Sequence, residues 1–260
     1  MVDDKDDDDK VLVERRGAVQ VITINRPSAR NALDGDVARA VAAAVDELDA
    51  DGDLRAGVLT GAGGIFSSGM DLKAFLRGES PSIEGRGLCG ITRTPPRKPL
   101  VAAVEGWALA GGFELVLACD LVVAGRGARF GVPEVKRSLV AAGGAALFLP
   151  QRVPRAVALE LLLTGEPIDA ERAAAVGLVN RVVEEGAAVE AAVALAEVIA
   201  ANGPLAVAAT KQVVLDAPSW PADEAWERQE QVVRPVFGSE DAREGSTAFA
   251  ERRPPVWRGR

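Results

Sequence analysis

LVAAVEGWALAGGFELVLACDLVVA, residues 100–124, decides the fold. It opens with five aliphatic residues, Leu100 to Val104, which read as a buried strand. Gly106 and the pair Gly111-Gly112 break that run. Residues 111–118 then fit a helix, and residues 121–124 return to a strand. Strand, turn, helix, strand is the order of a crossover connection between parallel strands, so the fold class is α/β.

Working outward, residues 11–25 alternate apolar and polar side chains around Arg15-Arg16-Gly17-Ala18. This predicts two short strands joined by a turn and ending at Pro27. Residues 36–48 place Val37, Ala40, Val41, Ala44, Val45 and Leu48 on one face, an amphipathic helix capped by Asp34 or Asp36. Residues 57–60 read as a short buried strand closed by Gly61-Ala-Gly-Gly64. Residues 79–99, broken by Gly85, Gly87, Pro95, Pro96 and Pro99, fit either a flap over a site or a plain connector. Downstream, residues 156–163, 169–176, 189–201 and 205–215 are helical, with a short β interruption at 177–183. Residues 221–233 and 239–249 read as closing helices, Ser239 and Glu240 suiting a helix start.

Composition narrows the chemistry. At 260 residues and 48% hydrophobic, the chain can bury the core of one or two domains. Residues 1–10, MVDDKDDDDK, resemble an engineered acidic tag and are set aside; they carry −4 of the formal −8. No basic excess remains to point to nucleic acid. No uncharged apolar run reaches the length of a membrane span. Cys89 and Cys119 form no CxxC pair, and free thiols are expected in a reducing cytoplasm. The chain has no histidine and no tyrosine. A Ser-His-Asp triad, a Cys-His pair, a His-ligated metal and a histidine base are therefore excluded, and acid–base work falls to Asp, Glu, Lys or backbone groups.

Two carboxylates stand out. Glu114 follows Ala110-Gly-Gly-Phe at a helix start, where unpaired N–H groups and the positive end of the helix dipole would stabilise a developing enolate oxygen. Glu134 follows Phe130-Gly-Val-Pro133, and the proline fixes the backbone that aims it. Upstream, Gly69 in Ser67-Ser-Gly-Met-Asp71 permits a sharp turn with free N–H groups. Each feature alone has a structural reading: a packing glycine, a first-turn acid, a solvated surface glutamate. Their combination is a kit for proton transfer beside a carbonyl. If the two carboxylates converge, their titrations couple and one is held protonated. No GxGxxG pattern supports dinucleotide binding. Lys73, Lys98, Lys136 and Lys211 are scattered without Schiff-base context, Asp120 reads as a helix terminator, and Trp107 and Phe113 read first as packing residues.

Taken in order, Asn25-Arg-Pro-Ser-Ala-Arg-Asn-Ala-Leu33, Phe66-Ser-Ser-Gly-Met-Asp-Leu72, Glu105-Gly-Trp-Ala-Leu-Ala-Gly-Gly-Phe-Glu114 and Phe130-Gly-Val-Pro-Glu134 resemble the crotonase (enoyl-CoA hydratase/isomerase) superfamily. Thr164-Gly-Glu-Pro-Ile-Asp-Ala170, Gly177-Leu-Val-Asn180 and Glu244-Gly-Ser-Thr-Ala-Phe-Ala-Glu-Arg-Arg253 extend the likeness to the C-terminus. It implies a crotonase-like spiral of ββα turns over residues 11–199 and a C-terminal helical trimerisation region over 200–260. The assembly expected is a homotrimer or a hexamer of paired trimers, and the substrate an acyl-CoA thioester. No metal or other cofactor is expected.

By the same likeness, the thioester oxygen is held by the backbone N–H groups of Met70 and Gly111. Ser28, Ala29, Arg30, Ser68, Asp71 and Leu72 line the CoA end. Pro133, Ala142 and Trp107 belong to the substrate pocket, which Trp107 and Phe113 would narrow. Glutamates at both catalytic positions follow the hydratase pattern. Glu114 deprotonates the water that attacks C3 of a trans-2-enoyl-CoA, and Glu134 delivers a proton to C2. One departure stands out: Ala141 and Ala142 replace a proline–glycine turn common in hydratases, pointing to a different acyl group. A Δ3,Δ2-enoyl-CoA isomerase is the alternative within the fold, and a non-catalytic acyl-CoA-binding protein the alternative outside enzymes.

Overall fold

The computed structural model describes residues 9–260. Most of the tag-like stretch, residues 1–8, lies outside the described residues. Its last residue, Lys10, joins the fold: its carbonyl accepts the Asn25 N–H at 2.8 Å, and its ammonium pairs with Asp34 at 2.9 Å and Asp36 at 2.7 Å.

The chain opens with the antiparallel strands β1 (Val11–Arg16) and β2 (Val19–Ile24). Helix α1 (Gly35–Ala50) follows, then β3 (Ala56–Gly61), the short α2 (Leu72–Leu76) and a small hairpin of β4 (Ser82–Ile83) and β5 (Gly87–Leu88). The deciding stretch forms β6 (Leu100–Val104), β7 (Trp107–Leu109), α3 (Gly111–Ala118) and β8 (Leu121–Gly125). Strand β9 (Arg129–Gly131) and a 3₁₀ turn (Pro133–Arg137) lead to α4 (Ala145–Arg152) and α5 (Arg155–Thr164). Strand β10 (Ile168–Asp169), α6 (Ala170–Ala175), β11 (Arg181–Val183) and α7 (Ala188–Ala200) come next. Helices α8 (Pro204–Asp216), α9 (Ala225–Phe237) and α10 (Glu240–Glu251) close the chain.

The main sheet runs β1-β2-β3-β6-β8-β11, all parallel beyond the first pair. Its central strands are almost entirely apolar because both faces are covered. Ile22, Leu59, Leu100, Ala102, Val104 and Val122 face the core under α1 and α3, while Val19, Val21, Val58, Val101, Ala103 and Val123 face α7 through Ala188, Ala192 and Ala196. A second sheet, β10-β9-β7, packs beside the first. Two successive turns share one pattern: β6 and then β8 join the large sheet, β7 and then β9 join the small one, and helical segments follow each pair. Phe113 and Phe130 pack in the core between them, ring centroids 5.7 Å apart.

The structure selects Asp34 as the cap of α1: its carboxylate accepts the Asp36 and Val37 N–H groups at 3.0 and 2.9 Å. Asp120 does not cap α3, whose last residue is followed by Cys119 in the capping position. Instead its carboxylate accepts the Leu100 N–H at 2.7 Å and pairs with Lys211 of α8 at 2.6 Å. That bond ties the C-terminal helices to the deciding strand. Several short elements carry no clear sequence signal, β7 and α4 among them. β7 spans three residues, and α4 starts straight after Gly143-Gly144 and contains Pro150. No single helix among the described residues is long and apolar enough to cross a membrane.

Candidate active site

The site is built where two glycine turns meet. At the start of α3, Ala110 takes φ 51° and ψ −128°, a conformation rare for a residue with a side chain. It is held there by its N–H donating to Gly131 O at 2.9 Å and its carbonyl accepting the Glu114 N–H at 3.0 Å. Gly112 must be glycine, because a methyl would lie 2.5 Å from Ser67 O. The second turn packs against the first: a methyl on Gly69, whose φ is +90°, would meet the Gly111 nitrogen at 3.0 Å. One on Gly111 would lie 3.6 Å from the Met70 nitrogen. Neither the Met70 nor the Gly111 N–H donates to an acceptor among the described residues.

Asn31 braces this arrangement, and sequence reasoning passed over it inside a motif it had quoted. Its buried amide donates to Ala62 O and Ile65 O at 2.9 and 2.6 Å, and its side-chain oxygen accepts the Arg26 N–H at 2.8 Å. Its carbonyl accepts the Ser67 hydroxyl at 2.8 Å, and that hydroxyl oxygen accepts the Gly69 N–H at 3.1 Å. The turn that frees the Met70 N–H is thereby fixed from both sides.

These N–H groups border a cavity of about 970 Å³ that Glu114 and Glu134 also line. The two carboxylates sit in different surroundings. Glu114 is buried, and the N-terminus of α4 closes on it: the Ala145 N–H donates to Oε1 at 3.1 Å, and a methyl on Gly143 would lie 2.4 Å from Oε2. Burial raises the Glu114 pKa, while the N–H groups of Ala145, Gly143 and Gly144 oppose the rise. Glu134 is half-buried, and its buried Oε2 finds no hydrogen-bond partner. Burial also raises its pKa; its own N–H and Arg137 act in the other direction, and the negative charge of Glu114 adds to the rise. Both carboxylates thus face one cavity.

Of the residues singled out in the sequence, Arg30, Ser68, Met70, Leu72, Gly111, Glu114, Pro133, Glu134 and Ala142 all line the cavity. Ser28 and Ala29 lie on a 3₁₀ turn outside it. Asp71 is occupied structurally, capping α2 through the Lys73 and Ala74 N–H groups and pairing with Arg26 at 3.1 Å. Two expectations are corrected. Trp107 points outward from the short strand β7 and is 44% exposed, and Phe113 is wholly buried against Phe130, so neither narrows the cavity. Its walls come instead from Phe75, Leu88, Leu139 and Val140. The tip of Leu88 reaches both Gly111 and Gly143, within 3.3 and 3.1 Å of where their methyls would be. No group of three or more His, Cys, Asp or Glu suited to a metal ion occurs among the described residues.

Comparison with known proteins places the chain in a family. The family model described as enoyl-CoA hydratase/isomerase matches residues 14–260. Enoyl-CoA hydratase EchA19 of Mycobacterium tuberculosis is 44% identical over 96% of both chains. A carnitinyl-CoA dehydratase of Salmonella typhi is 40% identical over 95% of this chain and 97% of its own. Among solved structures, enoyl-CoA hydratase EchA1 of Mycobacterium marinum superposes with a TM-score of 0.95 at 58% identity, covering 96% of this chain and 99% of that one. A carnitinyl-CoA hydratase of Mycobacterium avium gives a TM-score of 0.77 at 46% identity over the same shares. The chain belongs to the enoyl-CoA hydratase/isomerase family and is an enzyme with the crotonase fold.

Proposed function

We propose that the protein adds water across the 2,3 double bond of a trans-2-enoyl-CoA to give a 3-hydroxyacyl-CoA. The observation that carries this is the pairing of unlike carboxylates beside two free N–H groups in one cavity. Backbone donors favour the ionised form of Glu114, so Glu114 takes a proton from the water whose oxygen bonds to C3. Glu134, with an unpartnered oxygen and a negative neighbour, favours its protonated form and delivers that proton to C2. The electron pair of the double bond passes toward the thioester oxygen, where Met70 and Gly111 N–H groups stabilise it by about 3–4 kcal/mol per well-placed donor. The cycle closes when the proton gained by Glu114 returns to Glu134. These steps use carboxylates and backbone groups and call for no resident cofactor.

The relatives named for carnitinyl-CoA support a second reading, in which the same two carboxylates run the reverse elimination of water from a 3-hydroxyacyl-CoA. A quaternary ammonium substrate is commonly held by several aromatic faces. Among the described residues Phe75 is the single aromatic lining the cavity, which favours an acyl group without that cation. Trp226, Phe237 and Phe249 of α9 and α10 are each at least 80% exposed, and they support self-association through the C-terminal helices as a trimer or hexamer. The free thiols of Cys89 and Cys119 fit a reducing, cytoplasmic setting.

A panel of short, long and aromatic trans-2-enoyl-CoAs tests the reaction through loss of the conjugated thioester absorbance. An isomerase supplied with the 3-enoyl isomer would instead create that absorbance.

A further inference from the structure

We propose that Arg152 is a positioning residue for this reaction: by fastening the C-terminal end of α4 to the C-terminal end of α3, it sets where the N-terminal N–H groups of α4 meet Glu114. The inference rests on the acid–base assignment above.

Helix α4 touches α3 at two polar points. At one end, the Ala145 N–H donates to Glu114 Oε1 at 3.1 Å. At the other, the Arg152 guanidinium donates through Nη2 to the carbonyl of Cys119, the residue that ends α3. Arg152 is half-buried, which works against its charge; Cys119 and Asp120 oppose this only in part, without ion-pair contact. A guanidinium in such a place, with no carboxylate partner among the described residues, is costly unless its bonds do something for the fold or the site.

The corner it grips is firm. Asp120 binds the Leu100 N–H and Lys211 Nζ, and Lys211 also donates to Lys98 O at 3.0 Å. Arg152 therefore hangs α4 from a fixed point. With that point lost, the Ala145 bond to Glu114 is the polar contact that α4 keeps with α3 among the described residues, and a shift of a few tenths of an ångström there weakens the donors that favour the carboxylate.

The groups facing Glu114 are few. α4 presents backbone N–H groups, β7 presents Leu109, and β5 presents Leu88. The titratable group facing it is Glu134 from the 3₁₀ turn. Losing backbone donors destabilises the ionised form, so the Glu114 pKa rises. The acid limb of the pH–rate profile then moves to higher pH.

The test compares Arg152→Met, Arg152→Lys and Lys211→Met with the parent in kcat, KM and pH profile, with folding checked by circular dichroism. In Arg152→Met, kcat is expected to fall about tenfold with KM within about twofold and the acid limb raised by about half a unit. Arg152→Lys recovers part of both changes. Lys211→Met strips the same corner from the α8 side, lowering Tm without moving the limb. A folded Arg152→Met with the parent limb overturns the proposal, as does a reduced kcat with the limb unmoved. If Arg152→Met does not fold, Arg152→Lys decides: a raised limb supports the role and a parent limb overturns it. Failure of the underlying assignment looks different, because Glu114→Gln would then turn over like the parent.

Discussion

Glu114 and Glu134 are the two acids the fold places out of water at the cavity, and that placement has a cost that can be measured. Burial is the largest cause of the raised pKa of each. A carboxyl whose folded pKa lies above its unfolded value contributes stability that is full below the unfolded pKa and is lost as pH rises through the folded one. Glu134→Gln removes that loss. Its Tm is expected to exceed the parent's at pH 8 and to match it near pH 4, by thermal unfolding; equal Tm values at both pH values would contradict the burial argument. Both glutamates were legible in the sequence because each follows a glycine or proline turn in a chain without histidine. The difference between them was not. It depends on which backbone N–H groups come round from residues 143–145, thirty positions away from Glu114, and local sequence carries no trace of that. Trp107 and Phe113 misled for a similar reason. Adjacency to the glycine turn suggested the cavity, but Trp107, at the far end of β7 from that turn, is exposed and outside it, and the helix turns Phe113 into the core.

At the level of elements, the central strands of the large sheet were plain as short apolar runs, because burial on both faces leaves few polar positions such as Thr60 to blur them. The amphipathic α1 was equally plain, and only the cap was left open between Asp34 and Asp36. Replacing Asp34 by alanine removes the oxygen that accepts two N–H groups and the partner of Lys10 and Arg26. A loss of about 1–2 kcal/mol is expected from the cap in urea unfolding, whereas an unchanged midpoint would show the cap to be redundant. Helix α4 escaped notice because eight residues holding Pro150 after two glycines give a weak pattern, yet it supplies the donors to Glu114. Gly143→Ala tests that contribution. The new methyl would sit 2.4 Å from Glu114 Oε2, so the carboxylate must move. A fall in kcat of about a hundredfold with CoA affinity retained is expected. Parent kinetics would mean that the carboxylate tolerates displacement.

At the scale of the whole molecule, the family and its spiral were readable from the ordered motifs, whereas a trimer or hexamer was an expectation from that likeness alone. The structure adds a physical reason for association: large aromatic side chains exposed on α9 and α10. Sedimentation velocity on Trp226→Glu with Phe237→Glu is expected to show monomers where the parent shows trimers or larger species; a monomeric parent would remove this part of the proposal. The central claim concerns the reaction itself, and the most direct measurement is turnover of trans-2-enoyl-CoA, followed through the conjugated thioester absorbance and product mass, for the parent, Glu114→Gln and Glu134→Gln. The expected result is loss of the absorbance with a gain of one water in the parent. Rates should be lower by about 10²–10⁴-fold in each variant while CoA binding persists. Parent-like turnover in both variants, or no hydration of any short, long or aromatic acyl group, would contradict it.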